Sequence, residues 1–100
     1  MLNQKIADLN NEQINKEFYS AYLYLDFSNY YYDEGLNGYG NWYFIQAQEE
    51  RDHAVLMLEY LRNNGMPVTL KAIDKPDKEL KSFEDPLKFG LEHEIYVTSL

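Results

Sequence analysis

Glu50 and His53 are the two side chains in this 100-residue sequence whose types and spacing best suit metal binding. Residues three apart in a helix lie on one face, so a carboxylate and an imidazole at this spacing can bind the same metal ion. A single Glu-x-x-His match arises easily by chance and carries little weight alone. Glu17 and Glu94 add weight, because each stands in the middle of an apolar helical stripe. The four residues predict one inward-facing site built from three helices.

Several carboxylates buried together cost several kcal/mol unless their charge is compensated. Two divalent metal ions would compensate it, and helical bundles hold such metal pairs with inward glutamates and Glu-x-x-His pairs. Oxygen ligands with one imidazole favour iron or manganese. The alternative is that each glutamate reaches solvent from the edge of its stripe and that His53 is a hydrogen-bonded core residue. Five further glutamates are predicted to be solvated: Glu12, Glu34, Glu59, Glu79 and Glu84.

The hydrophobic pattern predicts two long helices, over residues 3–32 and 37–63, with Gly35 in the left-handed position that ends the first. Their short connection makes them antiparallel neighbours. The stripe around Glu17 comprises Ile6, Leu9, Gln13, Ile14, Ala21, Tyr24, Leu25 and Ser28. The stripe of the second helix comprises Trp42, Tyr43, Gln46, Ala47, Glu50, His53, Ala54, Met57 and Leu61.

Residues 64–82 show no periodic pattern and contain two prolines, so they are predicted to be an irregular connection. Fully extended, this segment reaches about 60 Å at roughly 3.3 Å per residue, enough to follow a bundle of about 45 Å from end to end. The third helix, residues 83–100, would then run parallel to the second. Ser82 or Asp85 can cap it, and Pro86 is tolerated in its first turn. Its stripe around Glu94 comprises Phe83, Leu87, Gly90, Leu91, Val97 and Thr98. Residues 1–100 are therefore predicted to form a single all-α domain.

Ten of the 100 residues are tyrosines, and Tyr24 is the one placed to approach the site. It lies two helical turns beyond Glu17 on the same face, although simple packing is an equally good interpretation. Trp42 and Met57 are predicted to be ordinary core residues. The remaining tyrosines of the first helix are predicted to lie partly off the core stripe and to suit a subunit interface: Tyr19, Tyr22, Tyr30, Tyr31 and Tyr32.

Charge and composition narrow the possible functions. Seventeen acidic against nine basic residues give a net charge of −8, which repels nucleic acid and concentrates cations. The absence of cysteine excludes disulfides, thiolate zinc sites and cysteine-ligated iron–sulfur clusters. No apolar run approaches 18 residues, and Met1 is followed by a polar segment rather than a secretory signal. We therefore expect a cytoplasmic protein with no nucleic-acid or membrane partner.

Four segments of the chain resemble the bacterial non-haem ferritins in content, order and separation. They are residues 11–17 (NEQINKE), 19–25 (YSAYLYL), 48–54 (QEERDHA) and 91–94 (LEHE). The resemblance implies a ferritin-like up-down bundle with a long crossover between helices 2 and 3. It also implies a ferroxidase site that binds two iron ions per subunit, oxidises Fe(II) with dioxygen or hydrogen peroxide, and fills a homo-oligomeric shell of 24 subunits with ferric mineral.

The same resemblance implies a role for each candidate residue. Glu17 and His53 would bind the first iron, Glu50 would bridge both ions and Glu94 would bind the second. Glu49 matches a ligand of an accessory third iron site. Tyr24 matches a tyrosine beside the centre that can donate one electron.

The chain departs from the family pattern because ferritins continue through a longer third helix and a fourth helix, neither of which this sequence contains. The second iron would then keep only Glu50 and Glu94 as ligands, and the third site only Glu49. The apolar stripes of helices 1 and 3 would be open along one side. We therefore expect a truncated ferritin, or one whose missing wall is donated by another chain through domain swapping.

Four alternatives remain open at the level of sequence. One is a truncated or swapped scaffold with an incomplete metal site, and another is a metal-free structural subunit. A rubrerythrin-like peroxide reductase would use the same bundle, but the sequence has neither a second Glu-x-x-His nor cysteines for an additional iron centre. A small encapsulated-type ferritin would complete its site by pairing half-bundles across a dimer.

Overall fold

The computed structural model describes residues 3–98 and the side chains of residues 3–96. This part of the chain contains three helices. Helix α1 spans Gln4–Asp33, α2 spans Asn37–Asn63 and α3 spans Glu84–Thr98. The start and end of each helix lie within about one residue of the prediction, apart from residues 99–100, which fall outside the described range. The described part contains no strand, so the predicted all-α fold is confirmed. None of its helices is both long and apolar enough to span a membrane.

Both long helices end in the same glycine-dependent turn. After α1, Gly35 has φ 76°, its N–H donates to the carbonyl of Tyr32, and the N–H of Leu36 donates to the carbonyl of Tyr31. After α2, Gly65 has φ 70° and the same pair of hydrogen bonds follows. This is the Schellman motif. Its left-handed backbone conformation is strained for any residue that carries a Cβ, so glycine is favoured there. The predicted role of Gly35 is confirmed.

Helices α1 and α2 pack antiparallel over their whole length, as predicted. Ser28 Oγ donates to the carbonyl of Gly40 at 2.6 Å near the connection, while Ala7 and Leu61 lie in one cluster at the far end. The buried side chains form two clusters. The first contains Leu23, Tyr24, Phe27, Tyr31, Tyr43 and Ala47, and the second contains Ala7, Ile14, Ala54 and Leu61.

The predicted stripe of α1 needs correction at both ends. Tyr31, predicted to face a subunit interface, is fully buried with 0% exposure, and its hydroxyl donates to the carbonyl of Phe83. It lies only about 40° from Glu17 around the helix at roughly 100° per residue, so it belongs to the core face. Ile6 and Leu9, predicted to be core residues, are exposed because the described part of α3 does not reach that end of α1.

The core position predicted for Trp42 is also wrong, since its side chain is 55% exposed. Trp42 and Leu87 line an open cleft between α2 and α3. Leu91, from the predicted stripe of α3, lines the same cleft and is exposed. This agrees with the expectation that an apolar stripe would be open along one side. Met57 packs against the second cluster, as predicted.

Two asparagines of α1 bind the start of the crossover. The Asn11 amide donates to the carbonyl of Pro67 at 3.1 Å and accepts from the N–H of Thr69 at 2.9 Å. The Asn15 amide, one turn later, donates to the carbonyl of Thr69 at 2.9 Å and accepts from the N–H of Lys71 at 2.8 Å. Each side chain therefore pairs with the extended backbone as a neighbouring strand would, and the crossover is directed along α1.

The crossover runs the length of the bundle and makes α3 parallel to α2, as predicted. Phe83 contacts Tyr31 and Tyr39 near the connection between α1 and α2, whereas His93 contacts Ser20 midway along α1. Pro86 is buried in the first turn of α3.

Asp85, in the first turn of α3, binds the backbone that leads into the helix. Asp85 Oδ2 accepts the N–H groups of Lys81 at 2.9 Å and Ser82 at 3.1 Å. These hydrogen bonds lower the pKa of Asp85 below its usual value, and the one from Lys81 contributes most.

Replacing Asn11 and Asn15 by alanine is expected to destabilise the fold by about 1 kcal/mol per site, because each substitution removes two hydrogen bonds to the crossover at partly exposed positions. Urea unfolding measures the change. Asn29, exposed on the same helix, is the matched control, and Asn29→Ala should alter stability by less than about 0.5 kcal/mol. Equal losses in all three variants would refute the role given to the two asparagines.

Candidate metal centre

Glu17, Glu50 and His53 meet between α1 and α2, at the junction of the two hydrophobic clusters. One ligand atom from each of the three lies within 4.8 Å of the others. Antiparallel packing opposes Glu17 and Glu50, and the helical spacing adds His53 to the same side of α2. Three of the four residues predicted to converge are therefore brought together in one group.

The Glu17 carboxylate is only 7% exposed, and its two oxygens differ in environment. Oε1 accepts a hydrogen bond from Gln13 Nε2 at 3.0 Å. Oε2 is buried and has no hydrogen-bond partner within the described part of the chain. An unpaired buried carboxylate oxygen is costly, and a metal ion is a partner that would remove this cost. The three residues at this point therefore fit a divalent cation.

Glu50 is protonated over much of the neutral range when no metal is present. Burial is the main reason that its pKa rises to about 8, and the neighbouring Glu17 carboxylate is the next. The charges of Glu94 and Glu49 contribute further. A carboxylate at such close range disfavours the charged form of Glu50, so cation binding would release the Glu50 proton.

His53 lies at the rim of the site rather than in the core. Its Nδ1 is 3.9 Å from Glu50 Oε2, and its side chain is 58% exposed. Both the predicted burial of His53 and the alternative of a hydrogen-bonded core histidine are therefore wrong. The imidazole therefore reaches the acidic pair from the solvent side, where an ion could enter.

Glu94 approaches the site from α3 through a contact with Tyr24. Tyr24 is almost fully buried, and its hydroxyl donates to Glu94 Oε1. Burial first, and then this hydrogen bond, raise the pKa of Tyr24 above its usual range. Glu94 itself is exposed and faces a cleft of about 270 Å³ that Gln46 also lines. In the described structure Glu94 does not belong to the 4.8 Å group, although its charge raises the pKa of Glu50.

Glu49 points away from the three-residue group and is exposed. Among the described residues, no second group of potential ligands forms around it. Its predicted role at a third metal site remains a prediction.

Sequence reasoning missed the roles of two residues. Gln13 was placed on the Glu17 face without a role, although its position four residues earlier in the helix is a signal for the hydrogen bond that it makes. His93 was not singled out, yet its Nε2 lies 2.6 Å from Ser20 Oγ, and burial lowers its pKa. Its position beside Glu94 was the available signal.

The fold and this site define a class: a helical bundle with inward carboxylates and a Glu-x-x-His pair that can hold metal ions. Residues 7–100 match the model of the ferritin family, described as a ferritin-like domain. The chain belongs to this family.

Among its relatives, the bacterial non-heme ferritin of Campylobacter jejuni is 40% identical over 98 residues, which cover 98% of this chain and 59% of that protein. The bacterial non-heme ferritin of Bacteroides fragilis is 35% identical over 103 residues, covering the whole chain and 63% of that protein.

Solved structures agree with this assignment. An engineered closed form of the Archaeoglobus fulgidus ferritin superimposes with a TM-score of 0.94 at 38% identity, covering 99% of this chain and 60% of that one. The open pore ferritin from the same archaeon gives a TM-score of 0.92 at 39% identity, covering 98% of this chain and 60% of that one. This chain thus spans about three fifths of the length of the relatives it matches.

The stability of the metal-free protein is expected to fall as the pH rises from about 4.5 to about 8, the ordinary and the folded pKa values of Glu50. Between them the folded state binds more protons than the unfolded state, so raising the pH favours unfolding. Urea unfolding at several pH values measures this slope. Glu50→Gln should reduce it, whereas Glu59→Gln, exposed on the same helix, should not. An unchanged slope in Glu50→Gln would contradict the raised pKa.

Proposed function

We propose that this chain takes part in iron storage by binding Fe(II) and oxidising it with dioxygen at the carboxylate site between its helices. The unpaired, buried Oε2 of Glu17 is the observation that carries this proposal, because the Glu17 carboxylate also forms, with Glu50 and His53, a group of ligands close enough to bind one cation. Membership of the ferritin family supports iron as the cation. The net charge of −8 favours its approach.

The proposed roles of the side chains are those that the family resemblance implies. Glu17 and His53 hold the first Fe(II), and Glu50, once it has lost its proton, serves both ions. Glu94 holds the second Fe(II) from α3, and Glu49 belongs to an accessory third site. Two Fe(II) ions give one electron each to dioxygen, which takes up two protons and leaves as hydrogen peroxide. The protein supplies position and charge, while the iron ions as substrates supply the electrons.

The assembly is part of the same proposal. We propose a cytoplasmic homo-oligomeric shell of 24 subunits that holds the ferric mineral, with hydrogen peroxide as a second possible oxidant. The solved relatives are named as ferritins of closed and open pore form, which supports a shell. A scaffold with an incomplete metal site is the second candidate, because Glu94 is exposed beside an open cleft.

Two further alternatives have less support. The matched relatives are ferritins rather than rubrerythrins, and the sequence contains no cysteine. A half-bundle ferritin that pairs across a dimer is expected to resemble half-bundle subunits. The two relatives named above instead align with nearly the whole chain, and each is a longer bacterial non-heme ferritin.

Anaerobic addition of Fe(II), followed by air, tests the oxidation. The wild-type protein should form ferric absorbance, and Glu17→Ala and Glu50→Ala should each slow its formation by at least about tenfold, since both remove a charged ligand. Glu59→Ala, exposed on α2, should oxidise iron at the wild-type rate. Equal rates in wild type and Glu50→Ala would refute iron oxidation at this site and would favour the scaffold with an incomplete metal site.

Tyr24 is proposed to donate one electron when a third Fe(II) at the accessory site donates another, so that dioxygen takes up four electrons and four protons and leaves as two water molecules; the phenol proton of Tyr24 passes to Glu94, to which its hydroxyl already donates. Tyr24→Phe keeps the buried ring but removes that proton. We expect it to abolish a tyrosyl radical signal in electron paramagnetic resonance spectra recorded after air is added. Tyr43→Phe is the matched control, because Tyr43 is also buried but donates to the carbonyl of Pro86. A radical that persists in Tyr24→Phe would exclude Tyr24 as the donor.

A further inference from the structure

Ser20 and His93 form a polar contact between α1 and α3 that the proposed chemistry does not use. Ser20 is 2% exposed, and its Oγ lies 2.6 Å from His93 Nε2. The same hydroxyl lies 3.1 Å from the carbonyl of Lys16 on its own helix. Its single proton is donated either to the Lys16 carbonyl, in which case the hydroxyl accepts from Nε2–H, or to Nε2 itself; in both cases Ser20 is hydrogen-bonded to His93.

The His93 ring also packs against two tyrosines of α1. Its centroid lies 5.8 Å from that of Tyr24, edge-on at 87°, and 5.9 Å from that of Tyr19. Burial lowers the pKa of His93. An imidazole that is hydrogen-bonded to a serine and packed against two aromatic rings is well placed to hold a helix in position.

Neighbouring residues on α3 therefore contact α1 at adjacent turns. His93 contacts Ser20, and Glu94 accepts from Tyr24, which lies one turn beyond Ser20. Successive side chains on a helix diverge by about 100°, so a helix that satisfies both contacts has one rotation about its axis. A turn in either direction would separate one of the two pairs.

Apolar packing alone does not set this rotation. Pro86 is buried and Phe89 packs against the first cluster, but the side chains of Leu87, Leu91 and Ile95 are exposed. Gly90 allows α3 to approach Tyr43 closely, since a Cβ there would lie 2.9 Å from the tyrosine oxygen. That contact sets the distance between the helices, while the polar contacts near the site determine which side chain of α3 faces it.

We propose that His93 is a positioning residue: its hydrogen bond with Ser20 sets the rotation of α3 that directs the Glu94 carboxylate toward Tyr24 and the Glu17–Glu50 pair. The consequence for metal binding rests on the proposed function. The consequence for Tyr24 does not, because the contact with Glu94 exists without metal.

The variants are chosen to separate positioning from general stability. Ser20→Ala and His93→Phe remove the hydrogen bond, and His93→Gln retains a side-chain donor that can reach Ser20. Ser28→Ala is the matched control, because Ser28 is 1% exposed on the same helix and donates to the carbonyl of Gly40 in α2 rather than to α3. Urea unfolding confirms that each variant is folded.

The first measurement uses the metal-free protein. Isotope-labelled tyrosine gives an NMR signal for the Tyr24 ring, which the spectrum of Tyr24→Phe assigns. Glu94→Gln supplies the shift expected when Tyr24 loses its carboxylate partner. Ser20→Ala and His93→Phe should move the Tyr24 signal toward that position, and His93→Gln should restore it. The proposal would be overturned if the Tyr24 signal moved no further in Ser20→Ala and His93→Phe than it does in Ser28→Ala.

The second measurement is the affinity for Zn(II), a redox-inert divalent ion. Ser20→Ala should weaken the Glu94-dependent binding by about tenfold, as loss of groups that orient ligands generally does. In a Glu94→Gln background the same substitution should have no further effect, because its influence passes through Glu94. An equal loss in both backgrounds would overturn the proposal. Failure of the wild-type protein to bind Zn(II) would count against the metal site, and the NMR result would then decide the positioning role by itself.

Discussion

The burial of Glu17 between two hydrophobic clusters is the constraint on which the rest of the structure depends. One of its carboxylate oxygens is bonded to Gln13, and the other has no hydrogen-bond partner in the described structure. The Glu50 carboxyl lies beside it and retains a proton at neutral pH, because two adjacent buried negative charges would be too costly. The interior of the α1–α2 pair is therefore less stable without a cation than an apolar core of the same shape would be, which is the expected property of a site that binds one.

The two sides of the site are held in different ways. Glu17 and Glu50 stand on long antiparallel helices whose packing extends from end to end, so their separation is a consequence of the core. Glu94 stands on α3, whose apolar side chains are largely exposed, and it is directed by hydrogen bonds. Because a few polar contacts are easier to disturb than a continuous core, the α3 side of the site is the one that substitutions outside it can reorient.

The aromatic residues connect the core to the site. The ring centroid of Tyr43 lies 5.8 Å from that of Tyr24 and 5.8 Å from that of Tyr31. The Tyr24 hydroxyl in turn donates to Glu94. The hydroxyls of Tyr31 and Tyr43 donate to carbonyls around the first turn of α3, which places the start of that helix. Rings that fill the core while their hydroxyls satisfy backbone groups perform two tasks at once, and a phenylalanine could perform only the first.

The sequence by itself determined the three helices, their ends, the antiparallel pair and the parallel third helix, because these follow from periodicity, two glycines and the length of the crossover. It also indicated Glu17, Glu50, His53 and Glu94 as one constellation, since polar residues in apolar stripes are costly without a purpose. Only the tertiary structure decided how deep each residue lies: Tyr31 is buried, while Trp42 and His53 are exposed. Depth depends on which neighbour covers a face and how far that neighbour extends. The period of a helix gives the direction of a side chain, but not what lies opposite it.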